Sequence, residues 1–207
     1  MNHRTLQGNR GVTLPELLVV VGITGIIVLA LTSFQKDIFF NSKFAADSLT
    51  SAQDARSILR TMIAELRVTS PSSNGAYAIA QAATSSITFF SDTDGDGIKD
   101  QIRYYLTGTT TLKKGVVKPT GSPLVYNSAN ETFKTLAINL KNSSSTPLFE
   151  YYDSGYAGTS SPMTYPLDIT RIRLVKINLL IDADPNRSPV PRTYTSQTSL
   201  RNLKDNL

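Results

Sequence analysis

The sequence contains no cysteine and no tryptophan, and its only histidine is His3. Without cysteine, thiolate metal sites and thiol catalysis are excluded, and with one histidine a histidine-based metal centre is not available. The chain also has no Gly-x-Ser-x-Gly, P-loop or Gly-x-Gly-x-x-Gly pattern, so the usual parts for nucleophilic or nucleotide chemistry are missing. A carboxylate pair acting on a glycoside is the remaining option, because its spacing is set by tertiary structure. We expect a protein that is not an enzyme.

Strong charge of one sign is also lacking. The formal net charge is +5, from 21 Lys and Arg against 16 Asp and Glu. The basic residues are scattered, and the head has no basic run longer than Lys113-Lys114. Nucleic-acid-binding domains usually concentrate basic and aromatic residues on one surface. No nucleic-acid partner is therefore indicated.

One apolar segment stands out against this background. Residues 12–31 contain a single charged residue, Glu16, and twenty helical residues at about 1.5 Å each cover a hydrocarbon core of about 30 Å. We predict a transmembrane helix over residues 12–33. Arg4 and Arg10 precede it, which favours a cytoplasmic N-terminus with the remainder of the chain outside the inner membrane.

The residues before this segment are ordered differently from a secretory signal, in which a small-residue cleavage site follows the apolar stretch. Here a short polar stretch, residues 1–11, ends at Gly11 and the apolar stretch follows. The segment "GVTLPELLVVV" resembles the signal of type IV prepilins and type II secretion pseudopilins. The resemblance implies that a membrane-embedded prepilin peptidase cuts after Gly11 and methylates the new amine of Val12.

The same resemblance gives Glu16 a role, since the family has a glutamate at the fifth residue after the cut. A carboxylate inside an apolar span is unfavourable by roughly 2.5–3.5 kcal/mol at the span centre, so a partner is expected. In the family that partner is the terminal amine of a neighbouring subunit in the filament. The alternative is a plain membrane anchor whose Glu16 reaches the lipid headgroups.

Beyond the span, the sequence predicts that the helix continues to about residue 69 and then gives way to strands. Apolar residues recur at helical spacing, with charged residues between them, which indicates one buried stripe: Ala55, Ile58, Leu59, Met62, Ile63 and Leu66. Residues 86–91, 101–107 and 170–182 are rich in strand-forming residues, and the tail 198–207 is predicted as a last strand. The predicted fold is α+β, with a leader (1–11), a long helix (12–69) packed by its second half on an antiparallel sheet, and an extracytoplasmic head (70–207).

The head contains an acidic loop, "SDTDGDGIKD". Asp92, Asp94 and Asp96 alternate, Ile98 offers a backbone carbonyl and Asp100 takes the ninth position, a spacing that brings hard oxygen ligands together on Ca²⁺. The EF-hand's closing glutamate is absent, so we predict a calcium loop of another kind. The alternative is a solvated hairpin turn without an ion, because Asp-Gly is itself a strong hairpin signal.

This loop and the strands that flank it resemble, more loosely, the heads of minor pilins and J-type pseudopilins. The sequence therefore predicts a minor pilin or pseudopilin that is stored in the inner membrane and assembles with other pilin subunits. The second hypothesis is a singly anchored, calcium-dependent adhesin. Which machine such a subunit would serve, a pilus, DNA uptake or secretion, does not follow from the residues.

Overall fold

The computed structural model describes residues 11–183 and 191–203. All of the predicted leader except Gly11 therefore lies outside the described residues, as does the end of the tail. The predicted division into leader, helix and head stays a prediction. By their internal contacts the residues form two units, one up to Ala46 and one from Asp47 onward.

A single helix, α1, spans Leu14–Arg67. It begins after Thr13, whose carbonyl accepts the first helical hydrogen bond from the Leu17 N–H at 3.1 Å. Its end agrees with the predicted one, because Pro71 and a group of turn-forming residues follow closely and cannot continue a helix. The fold class is the predicted one, a long N-terminal helix followed by antiparallel sheets.

In the unit up to Ala46, the large apolar side chains of residues 14–31 are exposed. An 18-residue window has a mean hydropathy of 2.6 and none of it is buried in the chain. The hydroxyl groups in this stretch are satisfied internally: Thr24 Oγ1 donates to the Val20 carbonyl at 2.7 Å and Thr32 Oγ1 to the Val28 carbonyl at 2.8 Å. Because a helix also satisfies its own backbone, this segment suits a hydrocarbon environment and is consistent with a single membrane anchor.

In the unit from Asp47 onward, the described residues form eight strands in two antiparallel sheets. The first sheet has the order β1-β2-β3-β4-β5 and the second the order β6-β7-β8. The strands are β1 Ile79–Ala82, β2 Ser86–Ser91, β3 Asp100–Thr107, β4 Thr111–Val117, β5 Thr132–Ala137, β6 Phe149–Tyr152, β7 Leu174–Ile181 and β8 Arg192–Ser199.

The C-terminal half of α1 provides one wall of the core. Of the predicted stripe, four residues are buried: Ala55, Leu59, Met62 and Leu66. Ile58 and Ile63 are partly buried beside them. The stripe shares one apolar cluster with residues of both sheets, among them Phe89, Tyr104, Phe149 and Ile177. The prediction that the second half of the helix packs on β-structure is confirmed.

Polar contacts link the helix to the first sheet and to the chain end. Glu65 on α1 accepts hydrogen bonds from the Tyr104 hydroxyl at 2.6 Å and from Lys114 Nζ at 2.5 Å. Just beyond the helix, the Thr69 carbonyl accepts a hydrogen bond from Asn202 Nδ2 at 3.0 Å. The residue segment just after α1 is thus in direct contact with the last 3₁₀ turn of the described residues.

Two strand predictions need correction. The predicted strand over residues 170–182 begins only at Leu174, because Asp168 Oδ1 accepts the Thr170 N–H at 3.0 Å and caps a 3₁₀ turn, Ile169–Arg171. Within the predicted tail strand, residues 198–207, only Thr198 and Ser199 lie in a strand among the residues that the structure describes, which end at Leu203. The last strand, β8, ends at Ser199, and a 3₁₀ turn, Arg201–Leu203, follows.

Candidate functional site

The predicted processing site lies immediately before α1. Gly11 and Val12 have no regular structure and are exposed, and a Cβ at Gly11 would meet no atom within 4 Å. The Gly11–Val12 peptide bond is therefore accessible. Among the residues that the structure describes, none lies close enough to position 11 to require a glycine there.

Glu16 is exposed in the first turn of α1. Its Oε2 lies 3.5 Å from the backbone N of Thr13, which donates to it. This is half of a capping box, in which the third helical residue satisfies the N–H of the residue before the helix. The sequence analysis missed this local role, although Thr13 followed three residues later by a glutamate is the pattern that predicts it.

The acidic loop connects β2 to β3. Asp92 fixes its backbone, with Oδ1 accepting the Gly95 N–H at 2.7 Å and Oδ2 accepting the Gly97 N–H at 3.0 Å. Both glycines have positive φ, +78° and +85°, a conformation that side-chain-bearing residues rarely adopt. Asp96 Oδ1 accepts the Ile98 N–H at 2.8 Å. The Asp and Gly residues of the motif thus fold the loop on themselves.

The structure brings together three of the five predicted ligand residues. Carboxylate oxygens of Asp92, Asp94 and Asp96 lie within 4.8 Å of one another. Asp100 is not part of this group of carboxylates, and the role of the Ile98 backbone carbonyl stays a prediction. Asp100 is buried at the start of β3, where its Oδ2 accepts a hydrogen bond from Thr93 at 3.0 Å. Burial raises the pKa of Asp100, and the Thr93 hydrogen bond opposes that shift.

Two lysines contact this loop. Lys118, which follows β4, forms an ion pair with Asp94, and Lys99 lies 3.7 Å from Asp92 Oδ2. The hydrogen bond from Lys118 lowers the pKa of Asp94. The sequence analysis missed Lys118, since it is 24 residues from Asp94 and only the pairing of β3 with β4 brings it close.

Comparison with models of known protein families finds a match for one of these features, the N-terminal segment. Residues 6–32 match the prokaryotic N-terminal methylation motif. The chain carries a type IV pilin-type methylation motif. No curated protein and no solved structure matches the chain significantly.

The methylation motif contains Gly11, Val12, Glu16 and the whole apolar segment, residues 12–31. It supports a type IV pilin-like or pseudopilin-like protein, and it points to a structural subunit rather than an enzyme. It also implies processing by a prepilin peptidase and assembly with other pilins. The motif ends at residue 32 and does not reach the head, so it gives no information on the acidic loop.

Proposed function

We propose that the protein is a minor type IV pilin or pseudopilin. A prepilin peptidase cleaves it after Gly11 and methylates Val12; α1 then holds it in the inner membrane with the head outside. Assembly with other pilin subunits transfers α1 from lipid into the filament. The methylation motif supports the processing steps, and the uncovered apolar half of α1 supports the transfer.

The observation that carries this proposal is the continuity between the motif and the helix. The motif ends at residue 32, inside a 54-residue helix whose C-terminal half belongs to the core of the head. A cleaved signal would be separated from the folded domain, whereas cleavage after Gly11 leaves the whole of α1 attached to the head. A long helix anchored in a folded head is the element that a filament of stacked helices requires.

Processing can be tested by N-terminal mass spectrometry of the full chain extracted from membranes of cells with and without the prepilin peptidase. We expect a methylated Val12 terminus when the peptidase is present and the uncleaved chain when it is absent. Gly11→Leu should block cleavage, whereas Leu14→Ala, an exposed position on the other side of the cut, should be cleaved. An uncleaved parent chain in cells with active peptidase would refute the proposal.

The acidic loop supports a second proposal, that the head binds Ca²⁺. The oxygens of Asp92, Asp94 and Asp96 form the centre of the site, and Asp100 and the Ile98 carbonyl complete the predicted set. Several oxygen ligands without a strict octahedral arrangement suit Ca²⁺ better than Mg²⁺. For the ion to bind, Lys118 has to leave Asp94, because the two positive charges would compete for one carboxylate.

The same loop is the observation that favours the alternative function, a singly anchored calcium-dependent adhesin. The two functions differ in their need for Glu16, since an adhesin that acts alone requires no partner for it. Immunogold labelling of sheared filaments distinguishes them: a pilin subunit is found in the filament, whereas a single anchored adhesin stays in the membrane fraction.

A further inference from the structure

The head contains a pocket beside the second sheet. Its lining residues are separate from those assigned above to processing, assembly or calcium binding. It lies at the end of β6 and against the segment that leads to β7, and its volume is about 370 Å³. We call it the tyrosine pocket; the residues that matter for its chemistry are Tyr152, Asp153, Tyr156, Asp168 and Arg171.

One side of the tyrosine pocket is an aromatic surface that is held in place. The Tyr152 ring is buried, and its hydroxyl donates to Glu150 Oε2 at 2.9 Å. Tyr156, which is partly exposed, packs on it with ring centroids 4.3 Å apart and an interplanar angle of 46°. The Tyr156 hydroxyl donates to the Gly158 carbonyl at 3.1 Å. Because the ring and the hydroxyl are both fixed, a ligand that stacks on Tyr156 meets a preorganised surface.

The pocket also contains a polar pair beside the aromatic surface. Arg171 Nη2 donates to Asp153 Oδ2 at 2.7 Å, and the two side chains are 63% and 34% exposed. Asp153 Oδ1 accepts the Gly155 N–H at 3.0 Å, so the carboxylate is oriented from two sides. A guanidinium has five donors and only one of them meets Asp153. The pair can therefore offer donors and an acceptor side by side.

The charges exclude some ligands. Asp153 and Asp168 supply two carboxylates against the one guanidinium of Arg171, which disfavours an anion. The lining also has more polar than apolar groups, which disfavours a purely apolar ligand. A pocket of about 370 Å³ is at the lower end of the range of ligand sites, roughly 300–1,000 Å³.

We propose that the tyrosine pocket binds a neutral sugar. A pyranose ring has one face of C–H groups, which can pack on the Tyr156 ring, and an edge of neighbouring hydroxyls. Those hydroxyls can donate to Asp153 and accept from Arg171, so both members of this ion pair can form hydrogen bonds with a neutral ligand. The volume limits the bound part to one ring or a short oligosaccharide. This proposal does not depend on the cleavage of the chain or on calcium.

The test uses the full chain in lipid nanodiscs, because glycoside detergents would compete for the pocket. Saturation-transfer NMR is recorded with glucose, galactose, mannose, N-acetylglucosamine and their β-linked disaccharides, with N-acetylneuraminic acid as the anionic comparison. We expect saturable, millimolar binding of at least one neutral sugar and weaker binding of the anionic one. Tyr156→Ala and Arg171→Ala should each weaken binding by about tenfold, equal to about 1.4 kcal/mol.

Two further variants keep the test independent of folding defects. Tyr156→Phe retains the ring and should bind within a factor of about three of the parent, and Phe133→Ala removes an exposed aromatic side chain on β5, outside the pocket, and should bind like the parent. The proposal is overturned if no neutral sugar binds, if the anionic sugar binds best, or if Phe133→Ala is as defective as Tyr156→Ala.

Discussion

At the residue scale, Glu16 has two possible partners. Within the chain, its carboxylate lies 3.5 Å from the Thr13 N–H, at the limit of a hydrogen bond. In an assembled filament, the methylated amine of a neighbour would be a positively charged donor, whereas the Thr13 N–H is a neutral one, so the new contact would be an ion pair as well as a hydrogen bond. The intramolecular contact is therefore weak enough to be exchanged for the intermolecular one.

We predict that Glu16→Ala leaves membrane insertion intact and reduces incorporation into filaments. Removing a charge from the apolar segment favours insertion, so a loss of incorporation must come from the missing pair. The ratio of filament to membrane protein, measured by immunoblot of sheared fractions, checks this. Thr13→Ala is the matched control, because it changes the same turn and keeps the carboxylate. If Glu16→Ala is incorporated like the parent, the pairing role is wrong.

At Gly115, a side chain of any size would meet the carboxylate of Glu131. Gly115 pairs with Arg103 across β3 and β4, and a Cβ on it would lie 1.8 Å from Glu131 Oε1. Glu131 lies there because it accepts two hydrogen bonds from Arg103, at 3.0 and 2.6 Å. A side chain at position 115 therefore displaces the carboxylate from its bidentate pair.

We predict that Gly115→Ala lowers the free energy of unfolding by about 1 kcal/mol, the order of a well-formed, partly exposed ion pair. In a Glu131→Ala background the same substitution should stabilise, by about 0.5 kcal/mol, because alanine costs less backbone entropy than glycine in a strand. Urea unfolding of the four variants measures both effects. An equal loss in both backgrounds would show that Glu131 is not the cause.

At the element scale, the two faces of the C-terminal half of α1 differ in what covers them. Met62 is fully buried in the head, whereas Leu49 on the same helix is 61% exposed. We predict that Met62→Ala lowers the free energy of unfolding by about 2–5 kcal/mol, through lost burial and the cavity left behind. Leu49→Ala should change it by less than about 0.5 kcal/mol. Thermal melting followed by circular dichroism compares the two, and similar losses would mean that the helix does not pack on the head.

The pairing of β6 with β7 places Glu150 opposite Lys176. Burial disfavours the ionised form of Glu150, but hydrogen bonds from Lys176 Nζ at 2.8 Å and from the Tyr152 hydroxyl outweigh it and lower the pKa of Glu150 below its ordinary 4.5. Because the folded state binds the proton less tightly, this carboxylate stabilises the fold above about pH 4.5. That stabilisation is lost as the pH falls through the lowered pKa.

Glu150→Gln should therefore cost about 1 kcal/mol at neutral pH, and the difference from the parent should shrink as the pH falls below 4.5. Unfolding by urea at several pH values measures this difference. Asp54→Asn, an exposed position on α1, is the control and should show no comparable trend. A difference for Glu150→Gln that does not change with pH would exclude the ionic contribution.

The elements that sequence could predict are those with a local pattern. The stripe on α1 follows from its 3.6-residue period, and strand β2 has the predicted limits, residues 86–91. The 3₁₀ turn before β7 was missed because the cap from Asp168 competes with an otherwise strand-like run. The division into two sheets was not predicted, since the four shorter or more polar strands, β1, β5, β6 and β8, carry little apolar alternation.

The candidate sites also differ in whether a local sequence pattern marks them. Gly11, Val12 and Glu16 are recognisable because they are close in sequence, and the acidic loop is recognisable because its aspartates alternate. The ion pair of Lys118 with Asp94 and the tyrosine pocket join residues that are far apart along the chain. Only strand pairing and loop packing bring these together, so no local pattern predicts them.

At the scale of the whole molecule, calcium should act on the stability of the head. An ion that binds only the folded state stabilises it by RT ln(1 + [Ca²⁺]/Kd), about 2.7 kcal/mol at a hundredfold excess over Kd. We predict a melting midpoint several degrees higher in calcium than in chelator, and no such shift with magnesium. Asp94→Ala and Asp96→Ala should abolish the shift.

The control for that experiment is Asp168→Ala, which removes an aspartate outside the acidic loop and should keep the calcium shift. Lys118→Met should retain or increase it, since the ion no longer has to displace the lysine from Asp94. Coincident melting curves of the parent in calcium and chelator would leave a plain acidic turn without an ion.

The contact between Asn202 and the Thr69 carbonyl joins residues 133 positions apart, and β8 follows β7 at the end of the second sheet. In the topology proposed above, the head therefore cannot close until the residues around Asn202 have crossed the membrane. Contacts of such long sequence separation also slow folding. If α1 is inserted first, as that topology implies, its apolar stripe stays exposed until the last strand has paired. We expect proteolysis and premature association to act mainly in that interval.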